Sequence, residues 1–187
     1  MICVSDDGIV VVVTTKQYLA TYETNRPREL AYGVVREPPA PFFSHQQVVI
    51  KVLRLLADYT ESAGLGVVGV APLDVILDQE RALIVQPDIL FVRSERLSII
   101  DKQVWGAPDL VVEVLSARTA MHDRTKKLGW YRQYGVQECW FVETSGDRLV
   151  VVDFTVSPPD TRSFARPDVL QSSVLPDFHP PASFLLP

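Results

Sequence analysis

The sequence predicts an α/β fold, with a mixed central β-sheet flanked by helices. Three observations carry the prediction: a helical hydrophobic period over residues 44–63, apolar β-branched runs at 65–77, 83–92 and 110–115, and a second helical stretch at 119–134 enclosed between two strands. Residues 106–142 read as strand, helix, strand. A helix returning over the sheet to a parallel strand makes a right-handed βαβ unit.

Residues 1–13 read as a leader or an edge strand, since Val10 to Val13 are apolar but Asp6-Asp7-Gly8 signals a turn. Thr14 followed by Gln17 has the spacing of a capping box and opens a short helix through about Glu23, ahead of Arg26-Pro27. A strand with a turn or bulge at Gly33 is expected over 30–36, and Pro38, Pro39 and Pro41 make an extended connection. Ser44 with Gln47 repeats the capping spacing. Val48, Val49, Val52, Leu55, Leu56 and Tyr59 then recur at three- and four-residue steps, the clearest amphipathic helix in the chain.

The runs 65–77 and 83–92 read as antiparallel partners joined near Asp78-Gln79-Glu80-Arg81. Pro87 cannot donate to a ladder and belongs at a strand start or edge, so Asp88 becomes the first residue of an apolar strand. Residues 94–105 read as irregular. The run 110–115 suits a strand buried on both faces. From 119 to 134 there is neither proline nor a β-branched run, and Gly135 stands where a left-handed C-cap is expected. Strands at 138–142 and 148–154 pair across a turn at Ser145-Gly146-Asp147. The proline-rich tail from Ser157, with apolar pieces at Val174-Leu175 and Phe184-Leu185-Leu186, wraps the core, so 14–187 reads as a single domain.

Composition narrows the classes. An apolar fraction of 47% with 22% charged residues is that of an ordinary globular chain, and no apolar run approaches the roughly 20 residues of a membrane-spanning helix. Asp6 and Asp7 stand where a signal peptide carries positive charge, so a cytoplasmic location is expected. Two cysteines, Cys3 and Cys139, read as reduced thiols, and three scattered histidines cannot complete a zinc site with them. The net charge of −5 argues against a general polyanion binder, yet Arg118, Arg124, Lys126, Lys127 and Arg132 gather at 116–134 against the single acid Asp123. Taken alone, such a run is a solvated helix face.

Glu113 interrupts the apolar run 110–115. An unpaired carboxylate in an apolar interior costs several kcal/mol, roughly, so a metal or a cation is expected beside it. Asp123, Lys127 and Tyr131 are spaced by four, on one helix face, which lets Lys127 reach the strand that carries Glu113. Asp88 opens one apolar strand and Glu113 lies inside the next; if the strands are neighbours, the two carboxylates can hold a hard divalent ion, Mg²⁺ fitting best and Mn²⁺ serving in its place. Asp109 follows Pro108 as Asp88 follows Pro87, but lies about 13 Å from Glu113 along the same strand by its rise per residue. It is expected to be a structural cap. His45, in the first turn of its helix, has both a structural reading and one as an anion neighbour. Tyr131 and Trp130 read as core packing, and Asp123 with Lys127 as a surface pair unless further pattern supports them.

That further pattern exists. Pro87-Asp88, Pro108-Asp109-Leu110-Val111-Val112-Glu113-Val114-Leu115-Ser116, Asp123-Arg124 with Lys127, Tyr131, Gly135-Val136, Glu138 and Trp140 together resemble the restriction endonucleases of the Uma-two type, in the PD-(D/E)XK nuclease superfamily. Glu29-Leu30 with Gly33, Ser44-His45 and Val174-Leu175-Pro176 fit the same pattern, so the resemblance covers nearly everything after Thr14. It implies a restriction-endonuclease-like core, an acidic pair formed by Asp88 and Glu113, and Lys127 as the superfamily's lysine. That lysine usually stands two residues beyond the second acid, where this chain has Leu115. His45 and Glu29 are expected to border the acidic cleft, with Asp109, Asp123 and Tyr131 in support.

The implied function is metal-dependent hydrolysis of DNA phosphodiester bonds, Asp88 and Glu113 holding the metal and Lys127 stabilising charge at phosphorus. A homodimer is expected because duplex cleavage needs two sites or two binding events. The alternative is a non-catalytic module that keeps the fold and the pocket for binding or assembly. Removing Lys127 from a solvent-accessible cleft is expected to leave stability almost unchanged.

Overall fold

A computed structural model describes residues 2–5, 8–21, 26–115, 123–144 and 147–187, with side chains described at 12–21, 26–115, 125–144 and 147–187. Several expected features lie outside these residues: the turn at Asp6-Asp7, the helix end near Glu23, the first turn of the helix at 119–134, and Ser145-Gly146. In chain order, β1 (Ile2–Ser5) and β2 (Gly8–Val11) form an antiparallel hairpin. The short helix α1 (Thr15–Leu19) has the Thr14 and Gln17 capping box complete, each residue's side chain accepting from the other's backbone N–H. β3 (Glu29–Ala31) and β4 (Val34–Arg36) are joined by a tight turn in which Tyr32 and Gly33 both take positive φ.

The long helix α2 (Phe43–Ser62) follows, then β5 (Gly66–Val70), β6 (Val75–Asp78), β7 (Leu83–Val85) and β8 (Ile89–Arg93). A 3-10 segment at Ser94–Ile99 leads to β9 (Val104–Trp105) and β10 (Leu110–Leu115). A π turn at Asp123–Lys127 runs into α3 (Leu128–Tyr134), which Gly135 ends in the left-handed conformation at φ 93°. β11 (Glu138–Glu143), β12 (Leu149–Asp153) and β13 (Asp160–Phe164) complete the strands.

Eleven of these strands form two sheets. The larger has the order β13-β12-β11-β10-β8-β5 and is mixed: β10 runs parallel to β11, while β8 is antiparallel to β10. The second, β4-β3-β7-β6-β9, packs against it. The α/β class with flanking helices therefore holds, but the two runs read as long antiparallel strands each divide between the sheets. Residues 65–77 supply β5 to one sheet and β6 to the other, broken at Pro72, and 83–92 supply β7 and β8, broken at Pro87. Both prolines lack the N–H that a continuous ladder needs.

Burial alternates along the larger sheet. Val112, Val114, Trp140 and Val142 face α2 and the C-terminal tail, where Val48, Val52, Leu56, Leu170, Leu175 and Leu185 are buried. Val111, Leu115, Cys139 and Phe141 face α3 and the second sheet. α1 closes the far side of the second sheet through Tyr18, against Leu30 and Ile84. The tail wraps the core as expected, although its 160–164 segment is a strand paired with β12. Among the described residues no helix is long and apolar enough to cross a membrane.

Candidate active site

Glu113 lies on the face of β10 shared with Val111 and Leu115, toward α3 and the second sheet, and is only 3% exposed. The register pairs Val112 with Ile89. The pairing ends there, and Asp88 is the next residue out from Ile89 as Glu113 is from Val112. Asp88 stands just ahead of β8 instead of inside it, and its Oδ2 accepts from the Val114 N–H at 2.7 Å. With its side chain 20% exposed, it is the more open of the two carboxylates.

Lys127 closes the arrangement from the π turn. Its Nζ lies 3.1 Å from Glu113 Oε1 and 2.8 Å from Glu29 Oε1. Glu29 belongs to β3 in the second sheet, so one ammonium joins two carboxylates from two separate sheets. Lys127 is buried at 5% exposure whereas Lys126 is exposed. The expectation of an accessible lysine is therefore overturned. A buried charge pair that loses one partner leaves the other uncompensated, at about 3–5 kcal/mol, so Lys127→Ala will destabilise the fold.

Tyr131 is likewise more than core packing: its hydroxyl donates to Glu113 Oε1. Burial, with the Glu113 and Glu29 carboxylates alongside, pushes the hydroxyl's pKa well up, so it remains a proton donor to the carboxylate. Cys139 lies buried on the same face, and burial with Glu113 nearby pushes its thiol well up, which suits an inert neutral thiol. Trp130 packs its ring edge-on to Tyr32 at 5.9 Å.

His45 Nε2 sits 3.2 Å from Asp88 Oδ2. Both His45 and Glu29 therefore touch members of the cluster. The Ser44 and Gln47 capping box does not form, because the N-cap of α2 is Phe42, two residues earlier, with no side-chain cap bond. Glu29 is fixed by the Gln86 N–H, which donates to its Oε1 at 3.0 Å, while the Gln86 side chain accepts from the Arg28 N–H and donates to Asp74. Gln86 was not a candidate in the sequence. Its only signal is its place two residues before Asp88.

Asp109 stands apart from the cluster. Fully buried, it accepts from the Arg93 N–H, Arg96 and Gln137, and so ties the start of β10 to the end of β8 and to the loop before β11. The Asp123 side chain lies outside the described residues.

Asp88, Glu113 and Glu29 supply three carboxylates, of which Asp88 meets His45 and the other two share Lys127. The donors are hard oxygens. Among the described residues no group of three or more His, Cys, Asp or Glu is gathered to hold a metal by itself. Two carboxylates fit Mg²⁺, which commonly keeps waters and completes its shell with substrate phosphate, and they do not fit zinc.

A family model described as "Putative restriction endonuclease", Uma2, matches residues 15–179. Among solved structures, "a putative nuclease belonging to DUF820 from Anabaena variabilis ATCC 29413" superposes with a TM-score of 0.76 at 19% identity, over 92% of this chain and 97% of that one. At that identity the likeness establishes a shared fold. No curated protein matches the chain.

Proposed function

The chain belongs to the Uma2 family, and on that footing we propose that it is a metal-dependent endodeoxyribonuclease, with Asp88 and Glu113 as ligands of Mg²⁺ or Mn²⁺ and Lys127 as the transition-state cation. The observation that supports the proposal is the shared ammonium: Lys127 lies 3.1 Å from Glu113 and 2.8 Å from Glu29, while Asp88 accepts from the Val114 N–H, one residue beyond Glu113. When bound, the metal would polarise a phosphoryl oxygen and raise the hydroxide fraction of a water. Asp88 and Glu113 would hold it, and Tyr131 would fix the Glu113 carboxylate. Lys127, paired with Glu29, would stabilise negative charge developing at phosphorus. His45 would orient Asp88. A twofold pairing of chains would give duplex cleavage its two sites.

Plasmid and single-stranded DNA incubated with Mg²⁺ or Mn²⁺ test the proposal. The expected result is cleavage by the wild type, and at least a hundredfold loss in Asp88→Asn with the fold retained by circular dichroism. Equal cleavage by Asp88→Asn would remove the acidic pair from the mechanism. No cleavage of any DNA by the wild type would favour the binding module.

A further inference from the structure

Phe42 and Phe43 are the most exposed large apolar side chains among the described residues, at 61% and 79%. They occupy the N-cap and first position of α2, two and three residues ahead of His45, whose imidazole touches Asp88. Both residues therefore stand within one helical turn of His45 along the chain. A pair of exposed phenylalanines at the start of the helix that carries His45 is not explained by packing, since neither is buried in any core cluster.

We infer that Phe42 and Phe43 form a stacking platform for unpaired bases, so that the substrate class is single-stranded DNA or duplex with unpaired nucleotides. The inference rests on the nuclease function proposed above. Three observations favour bases over a second copy of the chain. Their neighbours along the chain, Ala40, Pro41, Ser44, Gln46 and Gln47, are exposed and small or uncharged polar, so the rings are not part of a continuous apolar run. A stable dimer interface needs about 800 Å² per partner, far more than two rings supply. The chain is also acidic, at −5, which limits affinity drawn from phosphate neutralisation. Stacking on aromatic rings supplies affinity without charge and tolerates any base sequence. The pair also follows Pro38, Pro39 and Pro41, whose fixed φ holds the approach to the platform stiff.

The test is fluorescence anisotropy with labelled single-stranded and blunt duplex oligonucleotides in Ca²⁺, for the wild type, Phe42→Ala/Phe43→Ala and Phe43→Trp. The expected result is a wild-type preference for the single strand. The double alanine variant should lose about tenfold or more on the single strand and little on the duplex. Phe43→Trp should keep the affinity, with quenching of its added indole on binding. Equal single-strand affinity in the wild type and the double variant, with DNA still bound by both, would overturn the platform and leave the nuclease proposal standing. A dimeric wild type that becomes monomeric in the double variant would assign the rings to a second copy and overturn it. A wild type that binds neither DNA would overturn the nuclease proposal itself.

Discussion

Glu113 and Glu138 are buried glutamates on the adjacent parallel strands β10 and β11, and they are satisfied in opposite ways. Glu113 meets an ammonium and a phenol, Lys127 and Tyr131, and the same ammonium meets Glu29. Glu138 points to the other face. Its oxygens accept from Trp140 Nε1 at 2.7 Å, the Ser172 hydroxyl at 2.6 Å, and the Ser173 N–H and hydroxyl at 2.7 and 2.6 Å, with Arg162 at 3.9 Å. Most of these are neutral donors built into the fold, and they latch the C-terminal tail to the sheet. An ammonium between two carboxylates can release one of them to another cation while remaining paired with the other. Similar burial thus gives a candidate site in one place and a structural tie in the other, and the partner chemistry makes the difference.

The largest expected effect is that of Lys127→Ala. Loss of an electrostatic contact to the transition state costs on the order of 3 kcal/mol in the barrier, so the cleavage rate should fall about a hundredfold or more. Because Glu113 and Glu29 then lose their common cation, thermal denaturation should also show a lowered Tm. A variant that cleaves at the wild-type rate would erase the distinction between the two glutamates.

Glu138→Ala should affect stability alone. It strands the Trp140 indole N–H and the Ser173 N–H without their acceptor, a loss of about 3 kcal/mol, which for a chain of this size lowers Tm by about 10 °C. Cleavage per folded molecule, measured below the transition, should match the wild type. Tyr131→Phe is milder. It removes one hydrogen bond to a carboxylate, worth about 2 kcal/mol, and should weaken Mn²⁺ binding by about tenfold in calorimetry.

The smallest effect is in acid. Burial would raise the Asp153 carboxyl, but the Thr155 hydroxyl and N–H, both donating to Oδ1, outweigh it with help from Ser173 and Arg162, and hold the carboxyl below its usual range. Its stabilisation is fully present above the ordinary carboxylate pKa of about 3.9 and is lost as pH falls through the lowered value. Asp153→Asn should therefore narrow the drop in Tm between neutral pH and about pH 3 by a degree or two.

The sequence shows why one glutamate stood out and the other did not. Glu113 breaks an apolar run from within, whereas Glu138 opens one and looks like a strand boundary. The helix at α2, the strand β10 and the Gly135 cap were legible because period and cap chemistry are local. Division of 65–77 and 83–92 between two sheets was not, since that depends on which strands pair across the molecule. Nor was the burial of Lys127, which requires Glu29, far off in sequence and in another sheet, to reach the same amine. The start of α2 was misplaced because packing of Val48, Val52 and Leu56 holds that helix, and the Ser44 spacing contributes no cap.

The most direct measurement is calorimetric titration of Mn²⁺ into the wild type and Glu113→Gln. The amide keeps an oxygen to accept from Tyr131 and Lys127 but removes the charge, and Glu29 continues to pair with the lysine, so the fold should survive. The account predicts saturable binding by the wild type and its loss, by tenfold or more, in Glu113→Gln. Equal affinity in the two proteins would contradict the assignment of Glu113 to the metal.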